Sequence, residues 1–121
     1  MAGNRRHRFT TPAGVSFIKE WEEFRAVPYL DIVGILSVGY GHVVRDHEYL
    51  FNLSESDATI LLLRDLYGAE AAILRYVRVP LSDGQFDMLA SFVHNVGAGA
   101  LQRSTLRRVL NREDYAAIPR E

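Results

Sequence analysis

Two carboxylates and a hydroxyl, Glu22, Asp31 and Ser37, stand close together early in the chain. Carboxyl groups held in unlike environments can divide acid and base work. One protonates a leaving oxygen, and the other stabilises positive charge or activates water. A hydroxyl beside them can hold that water. This is a minimal kit for hydrolysing a glycosidic bond. Val15, Ile18 and Trp21 precede Glu22 at helical spacing, with Phe24 and Tyr29 soon after. Partial burial among them would disfavour the charged carboxylate, as a proton donor near neutral pH requires. Taken alone, Glu22 reads as a solvated helix-end glutamate like Glu20 and Glu23. Asp31 alone reads as a turn aspartate bonding its own backbone, and Ser37 as a small strand residue.

These residues need elements to hold them. Thr11 followed by Pro12 is a helix start, a hydroxyl cap with proline at the first helical position. Val15, Phe17, Ile18, Trp21 and Phe24 then predict a helix over 12–24, which Pro28 cannot continue. Short β-rich runs follow at Pro28–Asp31, Ile35–Val38 and Val43–Val44, separated by turns at 32–34 and 39–41. Gly34, Gly39 and Gly41 permit tight turns there. Strands this short imply a small antiparallel sheet packed on other elements. Ser54, with Asp57 three residues on, opens a helix of about 22 residues, roughly 33 Å long. Its predicted buried stripe is Ile60, Leu61, Leu63, Leu66, Ile73, Leu74 and Val77. Ser82 and Gln85 form a capping box ahead of Phe86, Leu89, Phe92 and Val93. A glycine-broken connector over 96–101 is followed by a short helix from Ser104 to Leu110, ended by Asn111, and residues 113–118 suit one more turn.

Glu22-x8-Asp31-x5-Ser37, followed by Gly39-Tyr40-Gly41-His42, resembles the bacteriophage-type lysozymes, the muramidases that phages use as endolysins. A second block, Gln85 to Leu110, resembles the second-lobe signature of that family, so the similarity covers most of residues 15–118. The resemblance implies an α+β, mainly helical, two-lobe fold with a small antiparallel sheet and a long connecting helix. The divisions expected are a disordered basic arm over 1–10, a sheet-bearing catalytic lobe over 11–53, a connecting helix over 54–78 and a shortened helical lobe over 79–121. It also implies roles: Glu22 as general acid, Asp31 as second carboxylate, and Ser37 in the water-positioning place usually held by threonine. By the same likeness Asn95 and Gly97 line the floor of the cleft, and Asp65 pairs with His42 in a structural ion pair. Tyr40 and Tyr29 suit either a sugar face or core packing. Asn95 suits either substrate or a helix C-cap. Glu23 departs from the family, which usually has glycine there. Family members also continue well past Asp114-Tyr115-Ala116, so Phe86, Phe92 and Leu106 are expected to lack their usual cover, favouring self-association.

Composition bounds what else the chain can be. At 121 residues, 48% hydrophobic and 24% charged, it has the balance of a globular protein with a real core. The absence of cysteine excludes disulfides and thiol chemistry. His7, His42, His47 and His94 lack metal-ligand spacing, so no metal and no organic cofactor are expected. Net charge is −1, and the arginines of the second half read as a solvated face rather than a nucleic-acid surface. No apolar stretch suits a signal peptide or a membrane span, implying residence in the host cytoplasm before lysis. The expected function is endo-hydrolysis of peptidoglycan. The alternatives are a glycan-binding module without cleavage and, more remotely, a membrane-active protein using the arginine-rich arm and the amphipathic segment Ala71–Arg78.

Overall fold

The computed structural model describes residues 6–31, 34–97, 108 and 111. In chain order the elements are α1 (Pro12–Glu22), β1 (Arg25–Leu30), β2 (Leu36–Gly39), β3 (His42–Val43), α2 (Glu55–Tyr76) and α3 (Asp83–Val96). Arg108 and Asn111 are also helical. Contacts divide the chain into two units, Val15–Asp65 and Met1–Gly14 with Leu66–Glu121. Both boundaries fall inside helices, at Gly14–Val15 in α1 and at Asp65–Leu66 in α2.

Capping chemistry accounts for where the helices begin. The Thr11 hydroxyl accepts the Gly14 N–H at 3.1 Å, so α1 starts at the predicted Thr-Pro pair. Ser54 accepts the Asp57 N–H at 3.0 Å, and Asp57 accepts the Ser54 N–H at 3.3 Å. Ser82 and Gln85 make the same reciprocal pair ahead of α3. The predicted 22-residue helix is α2, with its acidic first turn, Glu55 and Asp57, complementing the helix dipole.

The unit Val15–Asp65 carries the sheet, ordered β1-β2-β3 and antiparallel throughout. Tyr29 pairs with Ser37, Leu30 with Leu36, and Val38 with His42. β1 begins earlier than expected and contains Pro28. An outer strand tolerates proline, and the ladder is irregular between Arg25 and Tyr29. The core of this unit holds Ile18, Val38, Tyr40, Ala58, Leu61 and Leu62.

α1 stops at Glu22, two residues short of the predicted end, because Glu23 turns left-handed with φ 62°. Its N–H still bonds the Lys19 carbonyl at 3.0 Å. Glycine adopts this conformation without steric cost, whereas an L-residue meets its own Cβ. Glu23→Gly should therefore stabilise the chain by about 1 kcal/mol, read as a higher urea midpoint. An unchanged or lower midpoint would count against strain at this position. Trp21, expected to help bury Glu22, is 70% exposed, and Phe17 is 59% exposed, while Ile18 is buried. Phe17 and Trp21 are four apart and share a face, and Ile18 and Glu22 share another.

In the other unit the core among the described residues includes Leu66, Ala69, Ala72 and Ile73 of α2, Val77 just beyond it, and Phe86, Leu89, Ala90 and Val93 of α3. Ile60 and Leu63, predicted in the buried stripe of α2, are instead exposed. Phe86, expected to lack cover, is 1% exposed, with the Arg8 guanidinium 4.5 Å above its ring. Phe92 is half-buried, and Leu106 lies outside the described residues, as do the connector from 98 onward and most of the final predicted helix.

The expectation of a disordered arm over 1–10 does not hold for residues 7–10. Glu70 of α2 is 3% exposed, and a buried carboxylate requires partners. Thr10 supplies two, donating its N–H and hydroxyl to Oε2, each at 2.7 Å. His7 Nε2 lies 2.8 Å from Oε1, and its ring stacks on Tyr67 at 3.9 Å. Arg8 pairs with Asp83 at 3.0 Å, and Asp87 accepts the Thr11 N–H at 2.9 Å. Asn111 extends this bonding, accepting the Arg78 N–H at 2.7 Å and donating to the Tyr76 carbonyl at 2.9 Å.

Candidate active site

Glu22, Asp31 and Ser37 all belong to the unit Val15–Asp65. Glu22 is the last residue of α1 and is half-buried, on the face of the buried Ile18. Left-handed Glu23 then turns the chain into β1. Asp31 immediately follows β1 and is fixed by its own turn. Its N–H donates to the Ile35 carbonyl, its carbonyl accepts the Gly34 N–H, and its Oδ1 accepts the Ile35 N–H, each at 2.9 Å. Part of the bland Asx-turn reading is therefore observed. The same bonds hold the carboxylate in one orientation at the head of the hairpin. Ser37 is buried on the central strand, opposite Tyr29 and Val43. Register thus sets Asp31 across from Ile35, two residues before Ser37 on the facing chain.

His42 lies at the start of β3, 6% exposed, with both ring nitrogens engaged. Nδ1 is 2.8 Å from Asp65 Oδ2, the contact expected from sequence. Nε2 is 3.0 Å from Glu48 Oε1, a partner that sequence reasoning missed. The hydrogen bond to Asp65 raises the His42 pKa from its ordinary 6.5, burial opposes that rise, and Glu48 adds to it. Glu48 is lowered from 4.5, first by the Arg45 backbone N–H at 2.8 Å and then by His42.

The signs of these shifts define a pH window. A raised His42 contributes stability in full below 6.5, and the contribution is lost as pH rises through the folded value. A lowered Glu48 contributes in full above 4.5, and the contribution is lost as pH falls through the folded value. The stability difference between the native chain and His42→Gln should therefore peak between pH 4.5 and 6.5. Breaking a largely buried, charge-assisted cluster should cost about 2 kcal/mol there. Urea titrations across pH check this; a difference that stays flat from the acid to the alkaline side would refute it.

Tyr40 resolves toward packing. It is 6% exposed, and its hydroxyl donates to Glu55 Oε2 at 2.7 Å. Tyr29 is half-buried, with the Arg25 guanidinium 4.8 Å from its ring centroid. Asn95 and Gly97 belong to the other unit. Gly97 is the C-cap of α3, with φ 88° and its N–H on the Val93 carbonyl at 2.8 Å. Asn95 lies inside α3, and its Nδ2 donates to the Ser91 carbonyl at 2.9 Å. Among the described residues, no group of three or more His, Asp or Glu side chains is placed to hold a metal ion. No described helix is long and apolar enough to cross a membrane.

The phage lysozyme family model matches residues 19–121. The chain belongs to the phage lysozyme family. The SAR-endolysin of Escherichia phage Mu is 43% identical over 95 residues, covering 78% of this chain and 55% of that protein. The SAR-endolysin of bacteriophage PS119 is 39% identical over 93 residues, covering 77% of this chain and 56% of that one. The chain thus spans about half the length of these relatives. Among solved structures, the muramidase domain of SpmX from Asticaccaulis excentricus aligns at a TM-score of 0.80 with 32% identity, covering 93% of this chain and 75% of that one. An endolysin from the Escherichia coli O157:H7 phage FAHEc1 aligns at 0.80 with 28% identity, covering 93% and 73%. The lysozyme-like fold expected from sequence, helices with a small three-stranded antiparallel sheet, is the fold found.

Proposed function

We propose that this chain is an endolysin-type lysozyme that hydrolyses the β-1,4 bond between N-acetylmuramic acid and N-acetylglucosamine in bacterial peptidoglycan. The supporting observation is that one unit of a phage lysozyme family member carries Glu22 half-buried at a helix end and Asp31 fixed at a hairpin head, with Ser37 on the strand between β1 and β3. The names of its relatives, endolysin and muramidase, favour the same substrate.

In this mechanism Glu22 donates its proton to the leaving glycosidic oxygen. Positive charge then spreads over the ring carbon and ring oxygen, and Asp31 stabilises it. Ser37 holds a water through its hydroxyl, and Asp31 accepts a proton as that water attacks the opposite face. The configuration at the reacting carbon inverts. Inverting enzymes hold their carboxyl groups about 6.5–9.5 Å apart to admit the water, and a helix end and a hairpin head can leave that room. Serine in place of threonine lacks the methyl group that restricts the rotamer, which bears on rate rather than on the reaction.

Purified peptidoglycan treated with the native chain, then reduced with borohydride and hydrolysed, tests this reading. New reducing ends at N-acetylmuramic acid are expected. Reducing ends at N-acetylglucosamine would assign a different bond. No release, with the folded chain retained on the peptidoglycan, would make it a glycan-binding module instead.

A further inference from the structure

Oε2 of Glu55 is a meeting point for three segments of the unit Val15–Asp65. It accepts from the Tyr40 hydroxyl at 2.7 Å, the Lys19 ammonium at 3.3 Å and the Thr59 hydroxyl at 3.3 Å. Lys19 stands one helical turn before Glu22 on α1. Tyr40 stands in the turn between β2 and β3, three residues after Ser37. Its ring packs against Phe24, centroids 5.8 Å apart, and under the Lys19 ammonium at 5.6 Å. Glu55 itself is the first residue of α2.

From this arrangement we propose that Glu55 is a positioning residue for Glu22, acting through Lys19 and Tyr40; the proposal rests on the lysozyme reading above. Because Glu23 ends the helix with a left-handed residue, no further helical turn steadies Glu22 from its C-terminal side. The tie to Glu55 grips the chain before Glu22 through Lys19 and after it through the Phe24 contact with Tyr40. Titration behaviour agrees with a persistent tie. Burial, then the hydrogen bond and charge of Glu55, push Tyr40 up to about 12, so its hydroxyl keeps its proton. The Tyr40 hydroxyl, followed by Lys19, holds Glu55 below its ordinary value.

Stability is a weak explanation for this arrangement. The Glu55 side chain is 58% exposed, and exposed ion pairs contribute little to folding. Orientation is the stronger one, since a displacement of about 1 Å at a reacting group can cost a hundredfold in rate.

Glu55→Ala, Glu55→Gln and Tyr40→Phe, assayed on solubilised peptidoglycan, test the proposal. Glu55→Ala should lower kcat about tenfold while KM and the urea midpoint stay close to native. Glu55→Gln keeps an acceptor for the Tyr40 hydroxyl and should recover part of that loss. Tyr40→Phe should also lower kcat, and adding it to Glu55→Ala should do no further harm, because both act through one contact. A Glu55→Ala kcat within about twofold of native, in an active native chain, overturns the positioning role alone. A native chain that releases nothing overturns this proposal together with the functional reading.

Discussion

Glu22→Gln should reduce release of reducing ends by about 10²–10⁴-fold while leaving the chain folded and bound to peptidoglycan. The amide preserves the shape of the carboxyl group and removes its transferable proton, so the loss measures proton donation to the leaving oxygen. A general acid positioned in the transition state contributes about that factor, and here it would fall on kcat, because binding makes no use of the proton. Glu22 is half-buried at the tip of α1, so the substitution does not open a core cavity. Circular dichroism and a pull-down on insoluble peptidoglycan serve as controls. Retention of more than about a tenth of native activity would remove Glu22 from the acid role and return it to the helix-end glutamate of the bland reading.

Glu70→Ala is expected to have the largest effect on stability. Glu70 is 3% exposed and receives the Thr10 N–H, the Thr10 hydroxyl and His7. Truncation strands those groups at a buried position, and stranding a donor costs its full desolvation. The expected loss is about 3 kcal/mol, roughly a hundredfold in the folded-to-unfolded ratio, read from the urea midpoint. Glu70→Gln should lose less, near 1 kcal/mol, because the amide oxygen still accepts from Thr10 and a neutral His7 can accept from the amide nitrogen. Equal losses for the two variants would mean that the charge of Glu70, and not its hydrogen bonding, secures residues 7–10.

Much of this architecture was legible before any coordinates. Capping boxes are local chemistry, so Ser54 with Asp57 and Ser82 with Gln85 marked their helix starts in sequence, and the length of α2 followed from its periodicity. Glu22, Asp31 and Ser37 stand out through their resemblance to the phage lysozyme pattern; taken alone, each reads as an ordinary structural residue. Harder to read were contacts between residues far apart in the chain. Glu48 sits in a loop without periodicity, so nothing in its neighbourhood points to His42. Glu55 was hidden in the same way, reading as an ordinary first-turn acid of α2. Glu70, by contrast, left a signal. Leu66, Glu70, Ile73 and Val77 fall on one helical stripe, and a glutamate on an otherwise apolar stripe demands partners. Spacing does not separate the buried face of α1 from its flank: Trp21 and Phe17 stand only about 60° and 100° around the helix from buried Ile18, yet both are exposed.

The edges of the small sheet carry a consequence for the chain in concentrated solution. An outer strand ordinarily offers a row of free amides and carbonyls on which a strand from another molecule can polymerise. β1 withholds one amide at Pro28 and breaks its ladder between Arg25 and Tyr29, while β3, at the other edge, is two residues long. Neither edge gives an incoming strand a continuous template. Leu30 and Val43, exposed apolar residues on those two strands, therefore lie on edges that resist strand addition.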